Sequence, residues 1–433
     1  MAHIIPFRGT RYDASKVGNL SDVATPPYDR VYPDVQTACY ERSPYNIVRI
    51  IKGLAKDGDS DSENVYTRAA EYLAEWQESG VLVRDKEPGF YVYHQEYSFA
   101  GERFVRKGVI ALGEISGERA HAHEKTLAGP KADRLNLMRA TEANFGHIFM
   151  LYDDPERRAD RALDVAIAGC EPIIVATDAD ENTHRVWQVT DQATIEGVQT
   201  ALADKDLYIA DGHHRYETAV TFMQECEAKG WTQAAPESFG ARMMTLFNVA
   251  EPGMAIRPIH RLIHAVEGFD AETFLGQAGE SFAVERHETF EAMVGAVEAG
   301  RDIHTFGCVT AAGFATLVLR HEADLDELIP GDRSADCKRL DVSILHTILL
   351  DGLLDIDAKA LEEQRNVTYT VDPAVGLEAV QSGREQIFFY LNATRAEEVI
   401  RVADHGEKMP QKSTDFYPKL LTGLVLSTME IGK

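Results

Sequence analysis

A strand, a sharp turn and a helix are written into residues 207–230. Leu207, Tyr208 and Ile209 read as the end of a short buried strand, and Asp211-Gly212 as a turn that only glycine accepts without strain. From Tyr216 onward apolar residues recur at 216, 219, 220, 223 and 226, which predicts an amphipathic helix ending at Lys229-Gly230. Such a turn aims free backbone N–H groups at whatever lies before the helix. His213, His214 and Arg215 add positive charge at the same end, where the helix dipole disfavours cations. Together they call for an anion, and phosphate is the natural one.

A lone histidine, or an arginine beside an acid, is usually a satisfied polar group with no further role. Asp211, His213, His214 and Arg215 gathered at one strand-to-helix turn carry a desolvation cost without structural return. A binding role for the whole group, Asp211 to Arg215, is therefore the stronger reading.

Charge limits what else the chain can do. Lys and Arg number 44 against 70 Asp and Glu, a formal net charge of −26. A surface of that sign repels nucleic acid and anionic membrane at long range, so neither is an expected partner. Five cysteines, widely spaced and without a C-x-x-C pair, give no disulfide framework or zinc site. The opening Met1-Ala-His-Ile-Ile-Pro-Phe-Arg lacks a long apolar core, and the run at 344–354 is broken by His346 and Asp351. A cytoplasmic location is expected, and nothing sets the oligomeric state.

Elsewhere, Thr25-Pro-Pro-Tyr-Asp29 is a stiff, extended segment, whose Tyr28 and Asp29 either form a plain connector or edge a pocket. Tyr45–Ile50 reads as a strand carrying Arg49, residues 64–79 as a helix, and 90–99 with 104–112 as a hairpin through Gly101. His121-Ala-His-Glu-Lys-Thr126 and Lys131-Ala-Asp-Arg134 form a dense charged patch around a helix start at Pro130. Strands are expected at 145–152 and 241–249, and a domain boundary near 265. Beyond it helices (270–279, 288–299, 340–353, 373–382, 395–403) alternate with strands (304–310, 313–320, 386–392). The expected class is α/β, mixed α+β, in two domains, 1–265 and 266–433. Met409-Pro-Gln-Lys-Ser-Thr414, followed by Phe416-Tyr-Pro-Lys419, places Lys412, Ser413, Thr414 and Lys419 close together near the C-terminus.

The Asp211–Arg215 stretch resembles the phosphate box of the ParB/sulfiredoxin-like superfamily, which includes archaeal ADP-dependent free-serine kinases. From Pro26-Pro-Tyr-Asp29 to Pro410-Gln-Lys-Ser-Thr414 the chain resembles the domain of unknown function 1015 family. Aspartate at 415 departs from the aromatic residue common there. The resemblance implies a ParB/sulfiredoxin-like nucleotide-binding module with a second α/β domain, and a site drawing on His-Glu-x-Thr, Lys-x-Asp-Arg, the box and the Lys-Ser-Thr loop. Sulfiredoxin chemistry would need a cysteine in the box, where this chain has His213.

No Walker A loop, Rossmann glycine fingerprint, protein-kinase set or nucleophile elbow is present. Phosphoryl transfer needs donors on the phosphoryl oxygens, usually Mg²⁺, and a base for the attacking hydroxyl. Asp211, Gly212, His213, His214, Arg215, Lys412, Ser413 and Thr414 are the expected nucleotide contacts. Lys131, Arg134 and Lys412 would neutralise the transferring group. Glu124 is the expected base, with Asp133 its competitor, and Asp133 or Asp211 would hold the metal. The expected activity is transfer from ATP or ADP to a small hydroxylated metabolite, with free L-serine as the kinase resemblance implies. A non-catalytic nucleotide-sensing switch and a metal-dependent phosphohydrolase are the alternatives.

Overall fold

In the computed structural model, residues 3–115, 120–122, 128–320 and 325–433 are described, the side chains of 120–122 and 128–130 excepted. The chain divides into two units, one of Met1–Ala255 with Pro418–Lys433 and one of Ile256–Tyr417. The second unit thus begins some ten residues before the expected boundary, and the last stretch of chain returns to the first unit. The architecture is mixed α/β.

Nine strands form the main sheet of the first unit among the described residues. Its path runs Ala120–Ala122, Leu207–Asp211, Ile148–Tyr152, Ala241–Asn248, Glu102–Glu114, Phe90–Phe99, Thr183–Val189 and Ile174–Thr177, with Ile4–Ile5 pairing beside Glu102–Glu114. The long hairpin through Gly101 forms as expected, with Gly101 at φ 82°. One face packs helices Arg158–Ile167, Gln192–Leu202 and His213–Ala228 over Val92, Val109, Met150, Ile209 and Leu246. That burial is apolar and is what holds the sheet.

The opposite face carries Tyr93, Gln95 and Arg106, and the returning C-terminal segment lies on it. Gln95 Nε2 donates to Lys419 O at 3.1 Å, Arg106 donates to Pro418 O, and Leu421 N reaches Tyr93 Oη at 3.5 Å. Arg106 is fully buried against the stacked rings of Phe149 and Phe247, at 4.8 and 4.9 Å from their centres. Burial pushes it down to about 10.

Helix Val65–Glu78 follows the expectation, started by a capping box in which Asn64 and Thr67 exchange bonds. Tyr45–Ile50 does not form a strand. Asn46 accepts from Val48 N at 3.0 Å and donates to Asp22 O at 2.7 Å, and the chain turns into the short helix Val48–Ile51. A side chain bonding its own backbone outweighs the β-branched run here.

The second unit is a six-stranded antiparallel sheet in the order Phe282–His287, Gly313–Leu319, Thr305–Thr310, Ile387–Tyr390, His260–Ile263, Val367–Thr370. Helices Phe290–Ala299 and Pro373–Gln381 pack on one face, and Ala271–Ala278 with residues 341–354 on the other. The expected helix 340–353 contains a π-helical stretch, Leu345–Asp351.

Candidate functional site

Strand Leu207–Asp211 carries a β-bulge next to the box. Ile209 pairs with Met150 and Asp211 with Phe149, so Ala210 is the extra residue. A bulge reverses the alternation of side chains. Ile209 stays in the helix-covered core, while Asp211 turns toward the face of Phe149 and the C-terminal segment. There Lys419 Nζ lies 3.1 Å from Asp211 Oδ2, and Arg215 Nη2 lies 3.3 Å from Oδ1. Burial alone would raise the Asp211 carboxyl, but Lys419 and Arg215 hold it well below the ordinary carboxylate range.

Gly212 follows at φ 99°, and helix His213–Ala228 starts immediately after it with no side-chain cap. The helix begins three residues earlier than its apolar pattern indicates. Its buried side holds His213, Arg215, Thr218, Ala219, Phe222 and Cys226, so a charged residue sits on the face turned inward. The glycine is needed for space as well as angle, since a Cβ at 212 would meet Arg215 Nε at 3.0 Å. A Cβ on Gly146 would meet Arg215 Nη1 at 3.1 Å.

Helix Ala128–Thr141 lies beside the box helix, joined by ion pairs Lys131–Glu217 and Arg139–Glu225. Arg134 donates to Asp133 Oδ2 from Nε at 2.9 Å and from Nη2 at 2.6 Å, and to Ile51 O at 2.8 Å. Its guanidinium sits 4.1 Å from the centre of the Tyr28 ring, a favourable cation–π contact. Backbone bonds between Thr25 and Thr422, 3.0 and 2.8 Å, pin the Pro-Pro-Tyr-Asp segment that presents Tyr28. His214 is pushed down by burial, against the opposing pull of Glu217 and Asp29. Arg49 faces elsewhere, stacking on Tyr40 at 4.3 Å and donating to Tyr40 O at 2.8 Å.

Tyr28, Arg134, Leu137, Phe145, Arg215 and Arg242 are among the residues lining one cavity. Arg242, from strand Ala241–Asn248, was not singled out by sequence: it sits alone in an apolar run and belongs to no motif. A lone charge inside a strand expected from its apolar residues is the signal that could have marked it.

The sequence-predicted residues thus divide. Lys131, Asp133, Arg134, Asp211, Gly212, His213, His214 and Arg215 all lie in the first unit, on the box turn and the two paired helices. Glu124 lies outside the described residues. Lys412, Ser413 and Thr414 belong to the second unit, where Arg261 Nη2 donates to Lys412 O at 3.0 Å and Ser413 Oγ to Pro410 O at 2.6 Å. Lys419, from the same motif, belongs to the first unit and pairs with Asp211 of the box. Asp133 and Asp211, expected as metal ligands, are engaged by Arg134, Lys419 and Arg215. Among the described residues no cluster of three or more His, Cys, Asp or Glu could hold a metal ion.

A model described as protein of unknown function (DUF1015) matches residues 4–343. The chain belongs to that family. No curated protein matches this DUF1015 chain. Among solved structures, it is similar to a conserved hypothetical protein from Pyrococcus furiosus, at 12% identity and a TM-score of 0.34, over 72% of this chain and 92% of that one. It is also similar to a free serine kinase in complex with AMP, at 12% identity and a TM-score of 0.37, over 74% and 91%. A third is SbnI with a C-terminal truncation from Staphylococcus aureus, at 9% identity and a TM-score of 0.35, over 72% and 85%. In this DUF1015 protein no described helix is long and apolar enough to cross a membrane.

Proposed function

We propose that the first unit is a phosphotransferase moving a phosphoryl group from ATP or ADP to a small hydroxylated metabolite, with free L-serine the first acceptor to try. One observation carries the reading. An uncapped helix start, a left-handed glycine, Lys419 and a buried Arg215 whose Nε has no partner among the described residues meet at one turn. That donor set fits a phosphate. In transfer, the acceptor oxygen bonds to phosphorus as the bond to the nucleotide's bridging oxygen breaks. Glu124 takes the acceptor's proton, and Lys419, Arg215 and the helix start hold the charge on the phosphoryl oxygens and the leaving group.

Mg²⁺ on the nucleotide would add charge neutralisation of the same kind. Asp133 and Asp211 fit it poorly as a resident ion, since they already neutralise arginine and lysine. No step is therefore assigned to it.

Incubating the full chain with labelled ATP or ADP and a pool of hydroxylated metabolites tests the reading. A labelled metabolite supports it. Free phosphate alone would make the protein a phosphohydrolase, and binding without turnover a sensing switch.

A further inference from the structure

Arg242 is 4% exposed and Arg215 6%. Arg242 uses Nη2 to donate to Gly146 O at 3.1 Å, while its Nε and Nη1 are buried without a partner among the described residues. Arg215 likewise leaves its Nε buried and unpartnered. Both line the cavity that Arg134 also faces. Of the carboxylates around it, Asp133 is committed to Arg134 and Asp211 to Lys419 and Arg215, while Asp29 acts on Tyr28 and His214. Among the described residues no acidic side chain pairs with Arg242.

A guanidinium taken out of water without a counter-charge is strongly disfavoured. Holding one backbone carbonyl employs one of its five N–H groups, a poor return for that burial. Two further arginines beside it raise the cost. Burial and the charges of Arg215 and Arg134 push Arg242 down to about 9, and burial, with the charges of Arg215 and Arg242, pushes His147 down to about 3. Among the described residues no carboxylate balances this positive field by pairing with Arg242.

The free space is about 40 Å³, several times what one water needs and suited to a small oxyanion. The lining is divided in chemistry. Guanidinium groups and Thr218 line it together with the apolar side chains of Leu137, Met138 and Phe145. None of the residues at the tip of the box helix, Gly212 to His214, lines this cavity.

We infer that the Arg134–Arg215–Arg242 cavity is a second oxyanion site, distinct from the helix-start box, which takes a phosphate or carboxylate group carried on a small, partly apolar body. A ligand filling both places would present two anionic groups, with Arg215 between them. The inference follows from burial and charge and does not need the phosphotransferase reading.

The test uses the full chain at constant ionic strength, with sodium phosphate or sodium acetate replacing chloride. The wild type should show a saturable rise in Tm of about 2 °C or more. Arg242→Met should lose that response, with anion affinity falling at least about tenfold. Arg242→Lys, which keeps the charge but not the fork, should retain part of it. ADP separates the sources. If ADP competes with phosphate and Arg242→Met weakens ADP, the site takes a nucleotide phosphate. If ADP and phosphate or acetate bind together and Arg242→Met leaves ADP untouched, the site takes the acceptor's own anionic group. A selenate-soaked wild-type crystal gives a readout independent of the variants, with an anomalous peak expected within about 3 Å of Arg242 Nη1. No anion-dependent stabilisation of the wild type, or full retention of it in Arg242→Met, overturns the inference. Turnover of ATP or ADP with that result would leave the transferase reading standing, and anion binding without turnover would do the reverse.

Discussion

Lys419 Nζ lies 3.1 Å from Asp211 Oδ2, across a sequence separation of 208 residues. The bulge at Ala210 turns the carboxylate to that face, and the Gln95–Arg106 pair holds the Pro418–Lys419 backbone against it. A depressed carboxyl in the folded state contributes stability that is complete above its unfolded value, about 3.9, and is lost as pH falls toward the folded one. Lys419→Met brings the Asp211 carboxyl back toward its ordinary range. Urea midpoints should therefore differ between wild type and Lys419→Met at pH 6, and the gap should close between about pH 4 and pH 2. A gap independent of pH would mean that the pair contributes nothing.

Gly212 and Gly230 both have positive φ, 99° and 73°, but only Gly212 is crowded, with Arg215 atoms 3.0–3.2 Å from a Cβ at that position. Alanine at either place carries the left-handed backbone cost, about 1 kcal/mol. Gly212→Ala must also move the Arg215 guanidinium. Thermal melts with and without phosphate should show both variants destabilised and only Gly212→Ala impaired in anion response. Equal responses would place the anion away from Arg215.

Arg106→Met should cost about 2–4 kcal/mol, because it leaves the buried Gln95 Oε1 and Pro418 O short of a donor. The C-terminal segment should then open first. Hydrogen exchange at Leu421 and Leu426 is the measurement, and unchanged protection there would show that Arg106 does not anchor the segment.

Asp133 accepts from Tyr66 Oη at 3.0 Å and is gripped by Arg134. A carboxylate held in this way serves better as a brace than as a proton acceptor. Asp133→Asn should lower stability and leave most turnover, whereas Glu124→Gln should cost at least about a hundredfold in turnover with nucleotide affinity near normal. The opposite pattern would exchange the two roles.

Much of this arrangement is legible from local pattern. The hairpin through Gly101, the capped helix after Asn64 and the strand–glycine–helix of the box each follow from turn chemistry and periodicity over a few residues. Arg242 and Arg106 do not, because single charges in apolar strands gain meaning only when the sheet brings partners from elsewhere. The buried face of the box helix differs for a related reason: Arg215 and Thr218 face the cavity, so apolar periodicity alone misplaces the stripe. Lys419 stands five residues after Thr414 in one motif, yet the chain passes from one unit to the other between them, and no local signal marks that crossing.

Arg215 is the residue on which the account turns, since it reaches Asp211 by Nη2 and lines the cavity with Arg242. Titrating the full chain with labelled ADP and ATP, wild type against Arg215→Ala, tests it most directly. Loss of one charge-assisted contact should weaken nucleotide binding by about 1.5–3 kcal/mol, roughly ten- to 150-fold. Binding by Arg215→Ala as tight as by the wild type would contradict the proposed site.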